Sequence, residues 1–305
     1  MKILITGAKG FLGRNLIEKL DLAKNEVVAT SLNNHSLAEW AGRNYLKNFE
    51  ARHLDILDSE ECLSVMEGID VVIHLAASID IPFSISNPRE TITTNYGGTL
   101  NILEAMRKNG VKKIIFSSTQ AVYGNNPMAK EDEIAKISPI TSYALSKIMC
   151  EETIKLYSGN YGIYYAIFRA SQLYGKYQEN GILPMLKDKV AGASLIRIGN
   201  NVKRDFLNAQ DFAGAIKESL RRKERGIFNI GTGISTSIRG ILEMIAESFN
   251  KKIRIVKDKN LIRDKKFERW DEMAQTEKLK KTGWRPKSSV KEWVLNEAFN
   301  NNTDV

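Results

Sequence analysis

The sequence predicts an α/β fold: a doubly wound parallel sheet with helices on both faces, followed by a smaller C-terminal lobe. Three observations predict it. Through the first 170 residues, short and nearly continuous apolar runs alternate with amphipathic helical patterns, as strands buried on both faces require. The first run passes directly into a glycine-rich turn, "ITGAKGFLGRNL" at 5–16. After residue 170 the alternation breaks, and loop-like and basic stretches take over.

Taken in order, "KILIT" (2–6) reads as the first strand. "FLGRNLIEKLDLAK" (11–24) reads as a helix with Phe11, Leu12, Leu16, Ile17 and Leu20 on one face. "EVVATS" (26–31), "ARHLDI" (51–56), "DVVIHLAA" (70–77), "KKIIFSS" (112–118) and "YYAIFRA" (164–170) supply the second to sixth strands. Helices fill the gaps, among them a long one over 91–108. Beyond 170, "ILPMLKDKVAG" (182–192) is helical, and 203–220 with "GIFNIGTG" (226–233) add another helix and strand.

Composition narrows the class. Of 305 residues 43% are apolar and 27% charged, ordinary values for a soluble globular protein. No run approaches the roughly eighteen apolar residues of a membrane span, and the N-terminus lacks the features of a signal peptide. Cys62 and Cys150 have no metal-ligand spacing, so no metal is expected and a reducing cytoplasm fits. The net charge is +9, and Lys251–Val305 holds 15 Lys and Arg against 9 Asp and Glu. A solvated lysine-rich surface explains this, as does a small polyanionic substrate steered by a basic lobe. No helix-turn-helix pattern or aromatic-interleaved basic run supports nucleic-acid binding.

Gly7, Gly10 and Gly13 stand three apart between a strand and a helix. This is a dinucleotide cradle: one glycine for the tight turn, one for backbone approach to a pyrophosphate, one for helix–strand packing. An NAD site carries an acid at the end of the second strand to bind the ribose 2′-hydroxyl. Here Ser31, Leu32, Asn33 and Asn34 carry no carboxylate, and Lys9 puts a cation in the turn. Both features favour NADP(H), with NAD(H) as the alternative.

The second constellation is "SYALSK", where Tyr143 and Lys147 share a helix face. An ammonium beside a phenol is expected to lower its pKa by about 1–3 pH units. "FSSTQAVYG" ends the fifth strand, where open α/β sheets bind ligands, and Thr119 there is placed to hydrogen-bond the reacting oxygen.

With "LDI", "HLAA", "TTNYGGTLNILEA", "FRASQLYG", "KRDFLNAQD", "FNIGTG" and "KTGWRPK" added, the chain resembles the extended short-chain dehydrogenases/reductases that act on nucleotide sugars as epimerases, dehydratases or reductases. The resemblance covers nearly its whole length. It implies a Rossmann domain over 1–170, with 204–232 returning to it. It also implies a nucleoside-diphosphate-sugar lobe over 171–203 and 233–305, and a homodimer; the helices around 91–108 and 143–157 resemble the family's dimer pair, and burial within one chain accounts equally well for their apolar residues. It implies catalytic Thr119, Tyr143 and Lys147. The cofactor contacts expected are Gly7, Lys9, Gly10, Phe11, Leu12, Gly13, Ser31, Asn33, Asp55, Ile56, Leu75, Ala76, Ala77, Asn95, Ser117, Tyr143 and Lys147. The substrate contacts expected are Ser78, Thr119, Gln172, Arg204 and Arg269. Neither nucleic acid nor membrane is an expected partner.

Four positions depart from the family pattern. Gln120 and Ala121 stand where dehydratases carry an acidic pair, which speaks against elimination of water. Gln172 replaces an asparagine, and Gln275 replaces an aspartate. The sequence therefore points first to NADPH-dependent reduction of the C4 ketone of a nucleoside-diphosphate 4-keto-6-deoxyhexose. An NAD-dependent nucleotide-sugar 4-epimerase is the alternative. A non-catalytic nucleotide sensor of the same fold is a third reading, and the intact Thr119, Tyr143 and Lys147 argue against it.

Overall fold

The computed structural model describes residues 1–43, 48–125, 136–222, 225–262, 268 and 271–296. Contacts divide the chain into two compact units. The first comprises Met1–Val122, Pro139–Arg169 and Ala213–Phe228; the second comprises Tyr123–Ser138, Ala170–Phe212 and Asn229–Val305.

The elements up to residue 123 run β1 (Lys2–Thr6), α1 (Phe11–Lys19), β2 (Glu26–Ser31), α2 (Asn34–Arg43), β3 (Phe49–His53), α3 (Ser59–Val65), β4 (Val71–His74), α4 (Ile81–Ser86), α5 (Pro88–Ile92), a π-turn (Thr93–Gly97), α6 (Gly98–Asn109), β5 (Lys113–Thr119) and a 3₁₀ turn (Gln120–Tyr123). They continue as α7 (Ser142–Tyr161), β6 (Tyr164–Ala170), β7 (Gln172–Tyr174), α8 (Ile182–Gly192), β8 (Leu195–Ile198), β9 (Lys203–Asn208), α9 (Ala209–Ser219), β10 (Gly226–Ile230), β11 (Ser235–Ser237), α10 (Ile238–Ser248), β12 (Arg254–Lys257), α11 (Glu277–Lys280) and α12 (Val290–Asn296).

The main sheet has the order β10-β6-β5-β4-β1-β2-β3. The β3-β2-β1-β4-β5 run is parallel. Strand order reverses at β1, and such a switch point is where open α/β sheets bind ligands. A core including Leu4, Val28, Val72, Ile102, Ile114 and Ile167 packs α3, α6 and α7 against this sheet. In the second unit, Leu186, Ile196, Phe206, Ile241 and Ile245 anchor a separate core. It gathers the β11-β9-β7 sheet, the β12-β8 pair and helices α8, α10 and α12. No helix among the described residues is long and apolar enough to cross a membrane.

Several boundaries differ from the sequence expectation, each for a local reason. Helix α1 stops at Lys19, because Leu20 turns extended and the amides of Lys24 and the Asn25 side chain close a turn onto the Asp21 carbonyl. Strand β3 ends at His53, and Asp55 accepts the Leu57 amide in a local turn. Strand β4 stops at His74 because the Leu75 amide is shared between the carbonyl and the hydroxyl of Thr6 and the Ala76 amide turns to that hydroxyl alone. The long helix over 91–108 is three pieces, with the π-turn at Thr93–Gly97 between α5 and α6.

Candidate active site

The glycine turn has the geometry of an anion cradle. Gly7 takes φ +67°, and a Cβ on it would lie 2.8 Å from the Ala76 nitrogen. A Cβ on Gly13 would lie 2.3 Å from the Ala8 oxygen, so helix and turn are locked together there. At Gly10 an added Cβ would meet only the Gly7 oxygen, at 3.2 Å, leaving that face open to a ligand. Gly10 is also the N-cap of α1 and offers no side-chain cap, and the first turn holds no acid. Amides of that first turn thus face the opening without a competing anion, so the residues present fit a dinucleotide pyrophosphate. Phe11 and Leu12 form that first turn.

At the end of β2 the Ser31 hydroxyl is buried and has no hydrogen-bond partner among the described residues. Asn33 caps α2, its Oδ1 accepting the Ser36 amide at 3.2 Å. Lys9 is exposed and forms no ion pair with a described carboxylate. Asp55 and the buried Ile56 follow β3, and Asn101 Nδ2 donates to the Ile56 carbonyl at 3.0 Å.

The groups expected from the sequence to handle a proton meet at the end of β5. Lys147, almost wholly buried on α7, donates to the Ser117 carbonyl at 2.9 Å and lies 4.7 Å from the centre of the Phe116 ring. Burial pulls its pKa down to about 8. Tyr143 lies one helical turn away, its ring centre 5.9 Å from the Lys147 nitrogen. Burial pushes its pKa up to about 12, and a hydrogen bond with Thr119 pulls the other way. This corrects the sequence expectation that Lys147 lowers the phenol. The ammonium turns to a backbone carbonyl, and desolvation dominates at the tyrosine. Thr119 Oγ1 also accepts the Ala121 amide at 3.1 Å, which fixes its rotamer. Gln120 next to it is fully buried, and neither of its amide atoms has a partner among the described residues.

Behind these groups lies an ion pair that sequence reasoning passed over. Arg169 on β6 forks onto Glu151 at 2.7–3.2 Å, and Ser118 donates to the same carboxylate. Glu151 is fully buried and Arg169 nearly so. Glu151 stands four residues after Lys147 on the same helix, and that spacing was the available signal. Loop residues Leu75, Ala76, Ala77 and Ser78 follow β4, and Asn95 holds Ser78 at both ends. Its Oδ1 accepts the Ser78 amide at 2.7 Å and its Nδ2 donates to the Ser78 carbonyl at 3.0 Å.

In the second unit, Arg204 lies 3.0 Å from Glu268 and 3.7 Å from Glu272. Its neighbour Asp205 accepts the amides of Thr232, Gly233 and Ala274 at 2.8–3.1 Å and organises the loop after β10. Gln172 lies on β7. Arg269 lies outside the described residues. Among the described residues no group of His, Cys, Asp and Glu could hold a metal.

Residues 3–231 match the sequence profile of Epimerase, the NAD dependent epimerase/dehydratase family. The chain belongs to this family. A Methanocaldococcus jannaschii protein named "Putative UDP-glucose 4-epimerase" is 35% identical over 98% of this chain and 99% of its own. The UDP-glucose 4-epimerase of Thermotoga maritima, solved with UDP-glucose, superposes with a TM-score of 0.85 at 27% identity, over 97% of this chain and 96% of that one. The UDP-glucose 4-epimerase of Thermus thermophilus, solved with NAD, gives a TM-score of 0.83 at 26% identity over 97% of both chains. The Rossmann architecture expected from the sequence is thus that of the family's epimerases.

Proposed function

We propose that this chain is a nucleotide-sugar 4-epimerase acting on a UDP-hexose through a dinucleotide held in the first unit. The observation that carries the reading is the set of Thr119, Tyr143 and Lys147 at the end of β5, joined to a glycine turn built for a pyrophosphate. The end-to-end likeness to proteins named as UDP-glucose 4-epimerases supports this chemistry within the family. A bound nicotinamide supplies a hydride acceptor and donor for C4.

The chain's own residues manage the proton. Tyr143 takes it from the C4 hydroxyl during oxidation and returns it on reduction. Thr119 orients the oxygen, and its bond to Tyr143 favours the phenolate. Lys147 stays fixed by Ser117 and contributes its charge from beneath. Gln120 carries a neutral amide, which has no readily transferred proton, so this site lacks the acid–base pair that elimination of water requires. In the second unit Arg204 is the group for the substrate diphosphate, positioned by Glu268 and Glu272.

One observation favours a second reading. No carboxylate stands at Ser31, and Lys9 is free to meet a 2′-phosphate. That combination suits NADPH and the 4-ketoreductase expected from the sequence.

The deciding experiment supplies the purified chain with UDP-glucose and, separately, UDP-galactose, with no added reductant, and follows the sugar signals by NMR. Conversion of each into the other supports the epimerase. Failure to interconvert them, with NADPH oxidised only when a nucleotide-linked 4-keto-sugar is added, moves the assignment to the reductase.

A further inference from the structure

His74 makes no hydrogen bond to Thr119, Tyr143 or Lys147 among the described contacts, yet it sits at the centre of a continuous buried hydrogen-bond chain. The register of β1 against β4 sets Thr6 beside His74. Thr6 Oγ1 accepts the amides of Leu75 at 3.2 Å and Ala76 at 3.1 Å. A hydroxyl has one proton, and with its oxygen taken as acceptor that proton goes to His74 Nδ1, 2.7 Å away. The ring is then neutral, with its hydrogen on Nε2. Nε2 lies 3.1 Å from Thr99 Oγ1 and donates to it. Thr99 in turn spends its proton on the Asn95 carbonyl at 2.7 Å.

From Asn95 the chain divides. The side chain clamps Ser78 and donates to Ser146 Oγ at 2.9 Å. Ser146 Oγ donates to the Tyr143 carbonyl at 2.8 Å. Thr6, His74, Asn95, Thr99 and Ser146 are each no more than 2% exposed. The Leu75 amide is shared with the Thr6 carbonyl at 3.3 Å, and the Cys150 thiol also reaches Thr99 Oγ1 at 3.2 Å. Each hydroxyl proton of Thr6, Thr99 and Ser146 nevertheless has a single acceptor, and that sets the proton order.

We propose that His74 is a positioning residue, held as a single neutral tautomer, that ties the glycine turn and the loop after β4 to the helix carrying Tyr143. Thr6 immediately precedes Gly7, where an added Cβ would lie 2.8 Å from the Ala76 nitrogen. One end of the chain therefore sets the dinucleotide cradle. The other end sets the backbone of Tyr143. A histidine suits this place because its two ring nitrogens span both hydroxyls, one accepting and one donating. Burial, with the Lys147 charge adding to it, keeps the ring from taking a second proton.

Two substitutions separate the halves. His74→Asn keeps an acceptor near the Nδ1 position for Thr6 and loses reach to Thr99. His74→Gln keeps a donor near the Nε2 position for Thr99 and leaves Thr6 without its acceptor. We expect His74→Gln to weaken dinucleotide binding about tenfold by calorimetry, as the loop amides lose their fixed partner. We expect His74→Asn to bind within about twofold of wild type while turnover falls about tenfold, because only the Tyr143 end is loosened.

The turnover arm rests on the epimerase reading; the binding arm and the next measurement do not. In ¹⁵N-histidine spectra of the cofactor-free wild type between pH 5 and 9, the ring missing from His74→Asn should stay neutral with its proton on Nε2. A ring that titrates in this range, or carries its proton on Nδ1, overturns the proposal whatever the reaction is. So do folded variants that change binding and turnover alike. If neither variant folds, the wild-type spectrum still decides, because with three histidines in the chain the absence of any ring that stays neutral with its proton on Nε2 overturns the proposal.

Discussion

Replacing Lys147 by methionine should make the cofactor-free chain more stable at neutral pH while removing its activity. The reason is the cost of a buried ammonium. Lys147 is 3% exposed, and burial lowers its pKa from 10.5 to about 8. At about 1.4 kcal/mol per pH unit of displacement, holding the charge in the folded chain costs on the order of 3 kcal/mol more than in the unfolded one. Methionine is close in length and carries no charge. The displaced pKa already carries the contacts of the charged form, so methionine forfeits only what a neutral amine would give the Ser117 carbonyl, about 1–2 kcal/mol. The net expectation is a gain of about 1–2 kcal/mol at pH 7.

The pH dependence gives the sharper test. Below about 8 both states of the wild type hold the proton. Between about 8 and 10.5 the unfolded state still holds it and the folded state does not, so wild-type stability climbs with pH relative to the variant. Urea unfolding of both proteins at pH 7 and pH 10, followed by circular dichroism, reads the gap. Tyr143 also titrates toward the alkaline end, but it is present in both chains and largely cancels. An advantage for the variant that shrinks or reverses by pH 10 fits the argument. A variant less stable than wild type at pH 7, or a gap that ignores pH, refutes it.

Tyr143→Phe should lower turnover by about 10²- to 10⁴-fold and leave dinucleotide binding nearly unchanged by calorimetry, since only the proton-transfer group is lost. Lys9→Ala should weaken NADPH binding about tenfold or more and leave NADH alone, while Ser31→Asp should weaken NADPH and strengthen NADH; fluorescence titrations read both, and equal effects on the two cofactors would remove Lys9 from the 2′-phosphate. Arg204→Ala should weaken UDP-sugar binding and also destabilise the chain by about 3 kcal/mol, because it removes the cation facing Glu268 and Glu272. Glu151→Gln should cost about 3–5 kcal/mol by leaving the Arg169 charge uncompensated, whereas Glu151→Leu with Arg169→Met should fall within about 1 kcal/mol of wild type in the same unfolding assay.

What could be read from the sequence divides along a physical line. Strands buried on both faces carry their signal in a few consecutive residues. "KILIT", "EVVATS" and "YYAIFRA" accordingly coincide with β1, β2 and β6 to the residue. The ends that slipped are those set by side-chain hydrogen bonds rather than by apolar runs. "DVVIHLAA" continues the apolar pattern to Ala77, but Thr6, almost seventy positions earlier, captures the amides of Leu75 and Ala76. The π-turn at Thr93–Gly97 was hidden for a related reason. Its apolar spacing still reads as helix, and its departure shows only in backbone bonds.

The site follows the same rule with a further consequence. The glycine turn and the pair Tyr143 and Lys147 were legible because their chemistry lies within one turn or one helical repeat. The groups that poise them are not local. Glu151 meets Arg169 from the next strand, and Thr6, His74, Thr99, Asn95 and Ser146 come from separate strands and helices. Each of these residues taken alone is a buried polar side chain with no periodicity to announce it. What joins them is strand register: Thr6 opposes His74 only because β1 pairs with β4, and no spacing in the sequence encodes that pairing. A one-residue slip of β4 would turn His74 to the other face of the sheet. It would leave the Thr6 hydroxyl without its acceptor and the Asn95 clamp without its anchor. The reacting groups at the end of β5 would keep their sequence and lose their support. The chemistry is therefore written locally, but the precision with which it is held depends on a register that exists only once the sheet has formed.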